Sequence, residues 1–226
     1  DGLSRGRVTA MASRYRSFPE FSCASGLVNT MGGVCPVLLL SALYGPFAAG
    51  QFALVQRVVA LPMNLLGQAI AQVYLGEASA AHRHSVSVVS TLFFRASGRL
   101  TLVAIVVSTI VGLAAPLCFP FVFGVGWSVA GDLAQLMAPV IAAQLVVSPL
   151  SQTLNILGRQ AGMFALDALR LVLIVLSISS AYALGWTINQ TIALYSLAGA
   201  TSYCAYWVLS AIVLSKDYRE SRDVVR

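Results

Sequence analysis

The sequence predicts an all-α integral membrane protein of about six transmembrane helices. Three observations predict it. Only 10% of the 226 residues are charged and 58% are hydrophobic, whereas a soluble domain carries roughly 25% charged residues. The apolar residues fall into long runs, and about 20 such residues in a helix cross a bilayer. Most basic residues sit between these runs, on alternate connections, which is how a multi-pass protein records its orientation.

A polar, basic segment occupies residues 1–20. No short apolar segment follows a charged start, so no signal peptide is visible. Span one covers residues 21–44 without a charge, and Gly45-Pro46 marks a tight turn. Span two covers residues 47–75 and contains a single charge, Arg57. Residues 76–99 are polar, with Glu77, His82, Arg83, His84, Arg95 and Arg99. Within them Val86, Val89 and Phe93 recur at helical spacing, so a short amphipathic helix at the membrane surface is expected there. Residues 100–214 supply four more spans, at 100–123, 133–157, 161–184 and 190–214. Turns are expected at residues 124–131, at Gly158-Arg159-Gln160 and near Gly185, and a mixed-charge tail covers residues 215–226.

Lysine and arginine set the orientation. Arg5, Arg7, Arg14 and Arg16 precede span one; Arg83, Arg95 and Arg99 lie between spans two and three. Arg159 follows span four, and Lys216, Arg219, Arg222 and Arg226 follow span six. The connections near Gly45, Gly126 and Gly185 carry neither residue type. The positive-inside rule therefore places both ends in the cytoplasm. The net charge of +6 is accounted for by topology, and no nucleic-acid partner is expected. Cys23, Cys35, Cys118 and Cys204 lie in apolar stretches without a CxxC or Cys/His cluster, so they read as small packing residues. No cofactor or metal is expected.

The spans hold several helix breakers: Pro36, Pro62, Pro116, Pro120, Pro139 and Pro149. Each removes a backbone hydrogen bond and bends a helix. Bent helices are common in membrane proteins at large, and they also suit a bundle that rocks between two shapes.

Arg57 stands near mid-membrane, where a charge is costly and normally faces protein or a wet cavity. No acid lies in spans one or two. Arg57 either pairs with an acid elsewhere or snorkels, or it lines a cavity and attracts an anionic group such as a phosphate. Asn64, Gln68 and Gln72 form an i, i+4, i+8 stripe that either bonds neighbouring helices or lines a hydrophilic path. Asp167 and Arg170 share a helix face. They form either a neutralised pair near the interface or a group coupled to a cation or proton gradient.

Enzyme classes fit poorly. An intramembrane serine protease needs a membrane-embedded base for its serine, and the histidines, His82 and His84, fall in a connection. No HExxH, paired-aspartate or Gly-rich nucleotide motif occurs. A permease driven by a separate ATPase would need a cytoplasmic coupling element, for which residues 76–99 offer nothing specific.

Taken in order, the motifs resemble one family. They are Tyr15-Arg16-Ser17-Phe18-Pro19-Glu20-Phe21-Ser22, Pro36-Val37-Leu38-Leu39-Leu40, Gly45-Pro46-Phe47-Ala48-Ala49-Gly50-Gln51-Phe52-Ala53-Leu54, Arg57-Val58 with Leu61-Pro62, and Gly67-Gln68-Ala69 with Gln72-Val73. Phe123-Gly124, Trp127, Ala138-Pro139, Ser148-Pro149-Leu150-Ser151, Asn155-Ile156-Leu157-Gly158-Arg159-Gln160, Asp167 and Arg170-Leu171 follow. Over residues 15–215 this set resembles the C-terminal half of polysaccharide flippases, the O-antigen and exopolysaccharide translocases of the multidrug/oligosaccharidyl-lipid/polysaccharide exporter superfamily. The resemblance implies half of a two-lobed transporter bundle in the bacterial inner membrane. It implies undecaprenyl-diphosphate-linked oligosaccharide as substrate, alternating access, and coupling to an ion gradient. It places Arg57 on the cavity wall. Family members are about twice as long, and the abrupt polar start is expected of a chain cut within a loop. The expected partners are membrane lipids, the lipid-linked substrate, and the missing N-terminal half or a second copy. Two other functions stay open: a drug/cation antiporter of the same superfamily, which an acidic cavity would favour, and a non-transporting membrane subunit of a polysaccharide assembly complex.

Overall fold

The fold follows from placing glycine where helices must stop and apolar runs where they must span. In the computed structural model, backbone is described for residues 17–84 and 86–223, and side chains for residues 26–81 and 87–216. The basic residues Arg5, Arg7, Arg14, Arg16 and Arg226 lie outside the described residues. Cys23, His82, Arg83, His84, Arg219 and Arg222 lie outside the described side chains.

The chain runs α1 (Ser17–Tyr44), α2 (Pro46–Val55), a π-helical turn (Gln56–Ala60), α3 (Leu61–His84) and α4 (Val86–Phe123). A 3-10 turn (Val125–Trp127), α5 (Ser128–Leu150), α6 (Gln152–Ile156), α7 (Gln160–Ala183) and α8 (Ile188–Asp223) complete it. Among the described residues these make six passes long and apolar enough to cross a membrane: Gly26–Tyr44, Pro46–Ala81, Ser87–Phe123, Val125–Ile156, Gln160–Ala183 and Ile188–Lys216. The protein is an all-α, multi-pass membrane protein. Helices suit the bilayer because each satisfies its own backbone where no water is present.

The turns expected at Gly158 and Gly185 are helix C-terminal caps. Gly158 has φ +69° and Gly185 φ +72°, a region that side chains with a Cβ avoid. Around them Arg159 N–H donates to Leu154 O at 2.9 Å, and Gly158 N–H to Asn155 O at 3.1 Å. Trp186 N–H donates to Ala181 O at 3.0 Å, and Gly185 N–H to Tyr182 O at 2.9 Å. Each pair is a Schellman motif that satisfies the last carbonyls of its helix.

Residues 76–99 correct the sequence reading. They form no separate surface helix: residues 76–84 continue α3, and residues 86–99 are the first turns of α4. No proline interrupts α4 before Pro116, so the helix extends past the apolar run. Its apolar stripe faces protein. Val89 and Phe93 are fully buried with Tyr74, Ala78, Leu100, Leu150 and Leu214. Within the mixed-charge tail, α8 continues as helix to Asp223.

The longest interface joins α4 to α5. A Cβ at Gly131 would lie 2.8 Å from the Ala115 carbonyl oxygen and 2.9 Å from Pro116 Cα. Only glycine admits that approach. In lipid, such close packing supplies association that the hydrophobic effect cannot. Across this core, α2 is tied to α5 by Gln51, which is 2% exposed. Its amide donates to Gly126 O at 2.8 Å and accepts from Ala130 N–H at 3.0 Å. The outer face of α4 (Leu102, Ile110, Leu113, Leu117, Phe121) is exposed and apolar, as a lipid-facing surface requires. Gly131→Val is expected to destabilise the fold by about 1–3 kcal/mol, the usual range for overpacking. Gly98→Ala, with nothing within 4 Å of its added Cβ, leaves stability unchanged or slightly raised. Thermal unfolding in detergent compares the two.

Candidate functional site

The bundle is packed at one end and hollow at the other. Toward the Gly45, Gly124 and Gly185 turns, Leu40, Phe52, Leu133, Ile178 and Ile192 are fully buried. There Tyr44 Oη shares a 2.6 Å hydrogen bond with Thr191 Oγ1. Toward the Gly158 turn lies a cavity of about 650 Å³. Its walls come from α1, the π turn, α3, α5, α6, α7 and α8; no described side chain of α4 lines it.

Arg57, Asn64, Gln68, Gln72, Asp167 and Arg170 all line this one cavity. Span two supplies four of them on a continuous wall. Arg57 stands about 16 Å along the helix from Pro46, half of the roughly 30 Å hydrocarbon core. Gln72 lies about 22 Å further on, so the wall runs from the middle of the span to beyond the opposite edge of the hydrocarbon. The Pro62 bend takes a specific form here. Pro62 has no N–H, and its ring crowds the carbonyl of Val58. The helix widens just before it, and Leu61 N–H reaches back to Gln56 O. Such π turns are rare and frequent at functional sites; this one carries Arg57.

The groups differ in how they are engaged. Among the described residues, Arg57, Gln68 and Gln72 make no hydrogen bond or ion pair, and all three are exposed. Asn64 is tied instead: its Oδ1 accepts from Gln144 Nε2 of α5. The amide stripe thus divides, one member bracing two helices and two pointing free donors and acceptors at the cavity.

Asp167 and Arg170 engage separate neighbours. Tyr206 Oη donates to Asp167 Oδ1 at 2.7 Å and also lies 2.9 Å from Met163 O; Asp167 is 8% exposed. Arg170 Nη1 donates to Tyr203 Oη at 2.8 Å, and Nη2 to Asn29 Oδ1 at 2.6 Å. The guanidinium also sits 5.4 Å from the Tyr203 ring centroid, within cation–π range. This cluster binds α7 to α1 and to α8.

Sequence reasoning missed the α8 wall. Tyr195, Gly199, Tyr203 and Tyr206 all line the cavity. Their spacing of four, four and three residues marks a single helix face, and this was the available signal. No cluster of three or more His, Cys, Asp or Glu suited to a metal occurs among the described residues. Comparison with protein-family models, curated proteins and solved structures finds no match. The Asp167–Tyr206 contact is expected to hold α7 on α8. Tyr206→Phe and Asp167→Asn should each lower stability by about 1 kcal/mol. In the double variant the losses should be less than additive, as a thermal double-mutant cycle in detergent would show.

Proposed function

We propose that this chain forms one six-helix lobe of a transporter that carries lipid-linked (undecaprenyl-diphosphate) oligosaccharide across the bacterial inner membrane by alternating access. The observation that carries the reading is the cavity wall. It offers a cation inside a span with no hydrogen-bond or ion-pair partner among the described residues, followed along one helix by free carboxamides. Guanidinium suits phosphate through paired charge-assisted hydrogen bonds, and carboxamides suit sugar hydroxyls. Among the described residues, the charged groups lining the cavity are Arg57, Arg170 and Asp167. Two cations against one acid favour an anionic cargo over the cationic drug of an antiporter. A scaffold subunit gives no reason to keep Arg57 unpaired inside a span.

In this reading both chain ends are cytoplasmic, so the hollow end faces the cytoplasm and the packed end is the closed outer gate. Arg57, Gln68 and Gln72 are too polar to meet lipid. A second lobe, from the same protein or from a second copy, therefore faces them and completes the cavity. Asp167, held by Tyr206, is the candidate for ion coupling.

Complementation tests the proposal. The full reading frame is placed in a bacterium lacking its O-antigen flippase, and surface polysaccharide is scored. The parent is expected to restore polymer, and Arg57→Ala, at equal membrane level, to reduce export at least tenfold. An Arg57→Ala protein that exports normally overturns the assignment of Arg57 to the cargo.

A further inference from the structure

Arg170 is the cavity cation that already has partners, and the way it is held differs from a settled ion pair. Two of its guanidinium nitrogens donate to neutral acceptors, Asn29 Oδ1 on α1 at 2.6 Å and Tyr203 Oη on α8 at 2.8 Å. The third, Nε, is buried with no hydrogen-bond partner among the described residues. A buried donor left unmet on a charged group is uncommon and costly. The guanidinium is therefore under-coordinated where it stands, beside open cavity.

The helix it holds is weak at that point. Pro36 lies inside α1 and cannot donate to the carbonyl of Gly32. Gly32 and Gly33 follow one another there, and glycine is the least helix-favouring residue after proline. The guanidinium lies directly on this point: a Cβ at Gly32 would stand 3.0 Å from Arg170 Nη2. The principal packing of α1 is against α7 and its hairpin partner α2. Its far end is fixed by Tyr44, bonded to Thr191 and to Trp186 O. Its near end is joined to α7 through Asn29 and Arg170. Among the described residues, the hydrogen bond that reaches α1 from the π turn is a long one, Gln56 Nε2 to Gly33 O at 3.5 Å.

We propose that Arg170 is a ligand-operated latch: an anionic group in the cavity takes its guanidinium from Asn29 and so frees the part of α1 that precedes the Gly32–Pro36 hinge. This rests on the reading of the cavity as an anion site. The exchange is downhill for a simple reason. An anionic oxygen is a much stronger acceptor for guanidinium than a neutral amide, and a phosphate presents enough oxygens to meet Nε as well. Tyr203 stays in place as the pivot, through its hydroxyl and its ring. Arg57 then attracts the anion, and Arg170 converts its arrival into motion of a helix.

Amide hydrogen exchange of the full chain in nanodiscs, with inorganic pyrophosphate as probe, tests the latch. Binding itself is followed separately by calorimetry. With pyrophosphate bound, the parent is expected to exchange at least fivefold faster in residues 26–35, with α5 unchanged. Asn29→Ala should show that faster exchange without pyrophosphate and gain nothing on adding it. Gly32→Ala, whose methyl displaces the guanidinium from α1, should behave the same way and guards against a folding effect of Asn29. Pyrophosphate that binds but leaves α1 exchange unchanged overturns the latch while the anion site stands. Pyrophosphate that does not bind the parent overturns the anion site and the latch with it.

Discussion

A guanidinium halfway across a bilayer must be met by protein, water or a ligand, because hydrocarbon offers it nothing. Arg57 imposes that requirement on the whole bundle. The wall on which it stands has to be concave and wet, and the helices around it cannot close with apolar side chains. The structure answers with a cavity lined by five of the six passes. The sixth, α4, gives its inner face to the packing and its outer face to lipid. The polar wall is affordable only because the other half of the bundle is tightly closed.

That closure rests on small residues and on a few buried polar ties. Gly131 lets α5 lie on the backbone of α4. Gln51 fastens α2 to the start of α5, and Tyr44 fastens α1 to the start of α8. At the hollow end the ties along the cavity are Asn64–Gln144, Asp167–Tyr206 and the Arg170 cluster. They are polar, and they border a space a polar ligand can enter. One end is therefore closely packed and the other open and polar, an asymmetry that suits the alternating access proposed for this chain.

Much of this was legible beforehand. Long apolar runs interrupted at Gly45, Gly158 and Gly185 located the passes, because glycine caps and span length are local properties. The six candidate residues proved to share one cavity for a similar reason. Polar groups in a span have few places to go. Three features were not legible. The stripe of Val89 and Phe93 has the same period whether it faces a membrane surface or a protein core, and only the packing of α3, α5 and α8 decides. Asn64 and Gln68 look alike in sequence, yet Gln144 ties one and leaves the other free. Asp167 and Arg170 share a helix face, yet α1 and α8, distant in sequence, supply Asn29, Tyr203 and Tyr206.

The central claim is that Arg57 faces a water-filled space inside the membrane. Cysteine accessibility measures it most directly. After the native cysteines are replaced, Arg57→Cys, Gln68→Cys, Leu113→Cys and Phe121→Cys proteins in vesicles are treated with a charged, water-soluble maleimide. Positions 57 and 68 are expected to label rapidly, and the lipid-facing positions 113 and 121 to remain unlabelled. If position 57 is as inert as position 121, the cavity is dry or closed, and the account of Arg57 as its anion-facing wall is contradicted.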